Sequence, residues 1–385
     1  MRLIASLGLG LGLLLLAACA AAWPADRVAH TPDSAGALLQ QQQIPGAPFD
    51  ATAYRVLYRS TGLDGQPIVV SGIVVIPASA IPPGGRPIVA WAHPTTGVVP
   101  RCGPSDAFFH FQQIQGLRDM LEHGFIVAAT DYPGLGTQGP HPYLVGVSEA
   151  RAVLDSVRAA RQMPGAQASP RFAVWGHSQG GQAALFTGMI APRYAPELHL
   201  VAVAAAAPAT ELAALMQADL ATPAGKNLTA MTLWSWSRVY GAPMAKVATP
   251  AAVPVIDRLA GECIESVYDL YVRSHTERPL EQSFLTVGDL ATTEPWASLI
   301  ARNTPGTLPP NVPVFIAQGT NDHIVPPRIT WNYVRGLCTT GSRVTVDELP
   351  GVGHGFAAMR SARTAVDWIA DRFAGHPAPN DCLQD

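Results

Sequence analysis

Lysine is nearly missing from this chain: Lys226 and Lys246 are the two examples in 385 residues. Charged residues of all kinds reach 14%, and a net charge of -3 leaves no basic footprint, which argues against nucleic acid as a partner. The five cysteines include no C-x-x-C spacing, so neither a zinc site nor a dithiol redox motif is indicated. No internal repeat stands out, and the short polar tract Gln40 to Gln43 is the nearest approach to low complexity. The apolar run Ile4 to Ala18 is too short to cross a bilayer comfortably.

That run reads instead as a secretory signal, with Arg2 as its positive start and Trp23-Pro24 closing it. Leu16-Ala17-Ala18-Cys19 resembles a bacterial lipobox, in which Cys19 becomes the lipidated first residue. The overlapping Ala18-Cys19-Ala20 triplet is itself a plain cleavage site, leaving simple secretion open. A lipidated Cys19 would attach the protein to a membrane by its acyl chains, as an outer-membrane or periplasmic lipoprotein. Export also suits the remaining cysteines, Cys102, Cys263, Cys338 and Cys382, an even set that allows two disulfides in three connectivities.

The mature chain is long enough to bury a sizeable core, and 48% of its residues are hydrophobic. Ala53 to Arg59 and Ile68 to Ile76 alternate around a Gly turn as an antiparallel hairpin. Pro87 to Trp91, Phe125 to Thr130, the run ending at His177, Leu200 to Ala207, Val312 to Gln318 and Val344 to Leu349 read as buried strands. Helical patterns at about Phe109 to Glu122, Ser148 to Met163 and Thr364 to Phe373 separate them. Such alternation predicts an α/β fold with helices on both faces of a mostly parallel sheet. Residues 210–307 break it: several helical patterns with no clear strand imply a folded helical insertion after the sixth strand. The expected layout is a signal with lipobox over 1–19, a core over 45–209 and 308–385, and a cap over 210–307. Leu233, Trp234, Trp236, Val239 and Trp296 either line an acyl pocket or pack the cap.

Between a buried strand and a helix sits Gly176-His177-Ser178-Gln179-Gly180. The flanking glycines let strand and helix crowd together, forcing Ser178 into a strained, exposed turn suited to a nucleophile. After the Val314 to Gln318 strand comes G-T-N-D-H-I-V-P, which delivers Asp322. After Leu349 comes P-G-V-G-H-G-F, which delivers His354. The order Ser, Asp, His is that of α/β hydrolases, with His354 as base and Asp322 fixing its tautomer. Asp131 precedes the serine, Asp347 lies within a strand and Asp289 within the insertion, so they fit less well. His177 is expected to pack beside the serine. Donors to the tetrahedral oxyanion should be the backbone N–H of Gln179 and one from A-H-P-T-T-G, where Pro94 has none. His93 is the first choice there and Thr95 the alternative.

D-Y-P-G-L-G at Asp131 to Gly136, the entry P-H-P-Y-L-V-G-x-S-E-A-R-A-V-L-D at Pro140 to Asp155, W-G-H-S-Q-G-G and N-D-H-I-V-P together resemble the secretory lipases. The resemblance runs from about Ala53 to Cys382. It implies the α/β-hydrolase fold, a Ser178, Asp322, His354 triad, a cap after the sixth core strand, and disulfides Cys102 to Cys263 and Cys338 to Cys382. Fungal members carry an aspartate where His93 stands, a departure that touches the oxyanion donor. The expected activity is hydrolysis of carboxylic esters such as acylglycerols, with no metal or organic cofactor. An acyltransferase using the same intermediate, or an inactive surface lipoprotein, are the alternatives.

Overall fold

The computed structural model describes residues 34–383. The expected leader and Cys19 lie outside the described residues.

Nine strands form one sheet: β1 (Leu38–Ile44), β2 (Thr52–Thr61), β3 (Pro67–Ile76), β4 (Arg86–Ala92), β5 (Ile126–Thr130), β6 (Ala168–His177), β7 (His199–Ala206), β8 (Val314–Gly319) and β9 (Val344–Leu349). Their spatial order is β1-β2-β3-β5-β4-β6-β7-β8-β9. The first three run as an antiparallel meander, β3 joins β5 antiparallel, and every pair from β5 to β9 is parallel. The hairpin register closes at Thr61↔Pro67, on the Gly turn expected between these two strands.

Continuous apolar runs explain the central strands. Val203 to Ala207 and Phe172 to Trp175 are fully buried, as strands covered on both faces must be. Covering them are α1 (Leu117–Glu122), α2 (Gly146–Arg161), α3 (Gln179–Tyr194), α10 (Pro327–Thr339) and α11 (Ala357–Phe373). Between β7 and β8 the chain makes α4 (Leu212–Asp219), α5 (Pro223–Val239), α6 (Val253–Ala260), α7 (Val267–Thr276), α8 (Pro279–Gln282) and α9 (Trp296–Asn303). No strand of the sheet lies in that stretch.

Three details differ from the sequence reading. The polar tract Gln40–Gln43 is the exposed edge strand β1, so the sheet starts before residue 45; the insertion follows β7, the sixth of the strands read from the sequence. Polar residues serve there because an edge strand meets water on its outer side. Phe109 to Glu122 is a short 3₁₀ turn (His110–Gln113) and then α1, broken at Gly116, whose φ of 79° cannot continue a helix. Third, α11 begins at Ala357, immediately after the His354 loop, rather than at Thr364.

Trp236, Trp296 and Phe284 of the insertion pack its own core. Trp236 stacks on Trp296 at 6.2 Å between ring centres, and its indole N–H donates to Tyr143 O at 2.9 Å. Leu233, Trp236 and Trp296 are buried with Ile256, Leu259 and Ile300, and none of the three lines the two cavities that reach Ser178. Disulfides join Cys102 to Cys263 and Cys338 to Cys382, with Cα separations of 5.3 and 5.4 Å. The first ties the insertion to the segment after β4. A backbone bond from Ile264 N–H to Thr96 O at 2.7 Å reinforces it.

Candidate active site

Ser178 ends β6 and caps α3 with φ 57° and ψ -116°, a conformation that L residues avoid unless their surroundings impose it. The flanking glycines impose it here. A Cβ on Gly176 would lie 2.1 Å from Gly180 O, and one on Gly180 would lie 1.9 Å from Ala92 O. No side chain fits at either position, so strand, turn and helix meet at contact distance. Ser178 is nevertheless 9% exposed rather than open to bulk water, because the insertion roofs it over.

The relay to the β8 and β9 ends is continuous. Ser178 Oγ lies 2.8 Å from His354 Nε2, and His354 Nδ1 lies 2.8 Å from Asp322 Oδ2. Asp322 Oδ1 accepts from the amides of Ile324 and Val325 at 2.9 and 2.8 Å, while Gln318 Nε2 donates to Oδ2. A carboxylate can only accept, so the imidazole proton sits on Nδ1 and Nε2 is free to accept from the serine. Burial pushes the Asp322 carboxyl up, but the His354 hydrogen bond and charge with the two amides outweigh it and hold it below the usual range.

His177 packs against this pair. Its Nε2–H donates to His354 O at 3.0 Å, and burial, helped by the charge on His354, lowers its pKa to about 3. The ring is therefore a neutral brace for the histidine loop. Asp131 is likewise structural: its Oδ2 accepts from Ser71 Oγ at 2.6 Å and its Oδ1 from Ser105 N–H at 2.9 Å.

The segment after β4 holds both candidate oxyanion donors. His93 turns its ring into the core, 1% exposed, with Nδ1 at 2.6 Å from Pro94 O and the ring 4.3 Å from that of Tyr132. Pro94 and Thr95 reach the cavity and His93 does not.

One buried network was invisible in the motif. Gln179, the first residue of α3, directs Nε2 at Glu149 Oε1 (2.8 Å) and at His141 Nε2 (2.7 Å). His141 donates from Nδ1 to Pro133 O, which leaves its Nε2 as the acceptor for Gln179. Glu149 also accepts from Leu144 N–H at 2.9 Å, and burial raises its pKa to about 8. The network clamps the residue that follows Ser178. A long polar side chain directly after the serine, inside a packed elbow, is the signal that points to such a partner.

Above Ser178 lies a cavity of about 520 Å³, lined by Thr95, His177 and His354 from the core and by Leu228, Ile264 and Leu270 from the insertion. That volume suits a small to medium organic ligand. A narrower crevice leads from Ser178 and Gln179 under α4 and α5, past Leu212, Leu215 and Met216. The arrangement can activate a hydroxyl for attack on a carbonyl carbon held in a largely apolar enclosure.

Fold, elbow and strand order together define an α/β hydrolase with a helical insertion over its serine. A secretory lipase family model matches residues 112–381. Lipase 5 of Candida albicans is 26% identical over 351 residues, covering 86% of this chain and 74% of its own. A probable inactive lipase of Mycobacterium tuberculosis is 24% identical over 349 residues, covering 86% and 75%. Among solved structures, Candida antarctica lipase A in its closed state superposes with a TM-score of 0.76 at 18% identity, covering 92% of this chain and 87% of its own. The chain belongs to the secretory lipase family.

Proposed function

We propose that the protein is an exported serine ester hydrolase that cleaves carboxylic esters, such as acylglycerols or shorter esters, through an acyl-enzyme on Ser178. The observation that carries this reading is the unbroken Ser178–His354–Asp322 hydrogen-bond chain at the floor of the cavity. As Oγ attacks the ester carbon, His354 Nε2 takes its proton and Asp322 stabilises the resulting imidazolium. The tetrahedral oxyanion is received by the Gln179 N–H at the positive end of α3 and by a backbone N–H of the segment after β4, that of His93 as first choice and that of Thr95, which lines the cavity, as the alternative. His354 then returns its proton to the departing alcohol. Water repeats the sequence to release the acid.

The name of the Mycobacterium tuberculosis relative keeps an inactive family member in view. Retention of all three residues in hydrogen-bond register favours activity. A panel of p-nitrophenyl esters with a triglyceride emulsion tests it: hydrolysis should be present in the wild type and absent in Ser178→Ala. Equal rates in both would end the proposal. Attachment through a lipidated Cys19 is tested separately by Cys19→Ser, which should move active enzyme from membranes to the soluble fraction. Wild-type protein beginning at Ala21 would show plain secretion instead.

A further inference from the structure

Tyr143 is held at three points. Its backbone N–H donates to Ser235 Oγ at 3.0 Å, its carbonyl accepts from the Trp236 indole at 2.9 Å, and its phenol oxygen lies 3.1 Å from Thr95 Oγ1. Ser235 and Trp236 belong to α5, so the insertion grips the backbone of Tyr143 while the side chain reaches back to the segment after β4. The residue is 2% exposed. Phenylalanine would serve packing alone, without the cost of burying a hydroxyl.

The hydroxyl pair also has a telling place. Tyr143 bounds the narrow crevice together with Ser178 and Gln179, and Thr95 bounds the main cavity together with Ser178 and His354. The bond between them thus joins the walls of two spaces that both reach the nucleophile. Two hydroxyls bring two protons, and the bond between them uses one. The described residues offer the second no acceptor. A phenol is a far stronger acid than an aliphatic alcohol, so Tyr143 is the donor and Thr95 keeps its proton for another partner. Burial pushes the phenol above its usual range, which keeps it protonated at any working pH.

We propose that the Thr95 hydroxyl is a further donor to the tetrahedral oxyanion, and that Tyr143 is its positioning residue. The inference rests on the ester hydrolase reading above. Tyr143 occupies a lone pair of Thr95 Oγ1 and so limits where the Thr95 proton can point. A donor oriented before the substrate arrives acts on the transition state more than on binding. The side chain adds to the backbone amides, whichever amide of the segment takes part.

The test is a double-mutant cycle read as kcat and KM on a soluble ester. Thr95→Val removes the hydroxyl but keeps the shape and the backbone N–H, so kcat should fall by about a hundredfold with KM little changed. Thr95→Ser should restore most of that loss. Tyr143→Phe should lower kcat by about tenfold in the wild type and by nothing further in the Thr95→Val background, because it acts through that hydroxyl. Equal losses in both backgrounds would make Tyr143 a packing residue and overturn the inference. Wild-type kcat in Thr95→Val overturns it too. Should Tyr143→Phe fail to fold, a neutron map of the wild type with a trifluoromethyl ketone decides. The phenol deuterium should point at Thr95 Oγ1 and the Thr95 deuterium at the adduct oxygen; the reverse direction between the two hydroxyls overturns the inference. Absence of turnover with every ester would instead count against the hydrolase reading. The same ketone then separates the two, since Ser178 Oγ adds to its carbonyl carbon, the proton passes to His354, and the carbonyl oxygen becomes the oxyanion. Thr95→Val should weaken affinity for it far more than for the matching methyl ketone. Equal weakening, or none, overturns the inference, as does a wild type that binds both ketones alike.

Discussion

The sheet core and the helical insertion hold the buried acids nearest the active site differently. In the core, Asp322 is held by two amides, Gln318 and His354, while Glu149 is held through Oε1 by Gln179 and Leu144 and its Oε2 has no partner among the described residues. In the insertion, Asp219 faces the crevice without a partner. The difference teaches where each task resides. The hydrogen bonds of the proposed triad are fixed from several sides at the strand ends, whereas the insertion lines the cavity above Ser178.

Changes in the core should therefore break chemistry, and changes in the insertion should alter choice of substrate. The largest effect expected is Ser178→Ala, with a loss on the order of 10⁶ in turnover and little change in stability, since Oγ makes one hydrogen bond and fills no core space. Asp322→Asn comes next, at about 10⁴, because the amide would favour the wrong imidazole tautomer. Asp347→Asn should leave turnover nearly intact, as Asp347 lies within β9 and takes no part in the relay. Reversal of those two effects, measured with a soluble ester, would move the third catalytic role to Asp347.

On the insertion side, Leu228 lines both the main cavity and the crevice. Leu228→Trp should narrow both and lower kcat/KM for long acyl chains relative to acetate by about tenfold, the scale of a few misplaced methylenes. A uniform loss for all chain lengths would mean that the substitution had disturbed the core instead.

Much of the core was legible because its signals are local. The glycine pair around Ser178, the apolar strands and the loops bearing Asp322 and His354 each follow from short-range sterics and burial. The family resemblance added the disulfide pairing, which residue counting left open among three connectivities. The Glu149 clamp could not be read, since Glu149 and Gln179 lie thirty residues apart and meet through the α2 and α3 packing. The choice between His93 and Thr95 is not legible for a related reason. The motif limits the donor to that segment, but which residue faces the cavity depends on how Tyr132 and the β4 end pack. Trp236 and Trp296 show the ambiguity of large apolar residues in an insertion: core and pocket have the same composition.

The disulfides sharpen the comparison in stability rather than rate. Removing either should cost about 2–4 kcal/mol. The Cys102–Cys263 bridge closes 161 residues and Cys338–Cys382 closes 44. Loop-closure entropy makes the first worth about 1 kcal/mol more. Paired Cys→Ala variants in urea unfolding check the order. The first pair should also weaken substrate discrimination, because it holds α7 beside Thr95 and Thr96, while the second should not.

The smallest effect concerns pH, and it has a definite sign. Burial raises Glu149 from an ordinary 4.5 to about 8, so between those values the unfolded chain has released a proton that the folded protein keeps. Glu149 therefore contributes stability fully below about pH 4.5, and that contribution is lost as pH rises to about 8. Asp219 acts the same way from the insertion, whereas Asp322, held below its usual range, contributes the opposite slope in acid. Each raised group adds at most about 1.4 kcal/mol per pH unit within its window. Glu149→Gln and Asp219→Asn should each flatten the decline of the thermal midpoint between pH 5 and 8. They should differ in rate: the core substitution loosens the clamp on Gln179 and lowers kcat, while the insertion substitution leaves kcat for plain short-chain esters unchanged. Equal effects of the two on kcat would erase the division of labour between core and insertion.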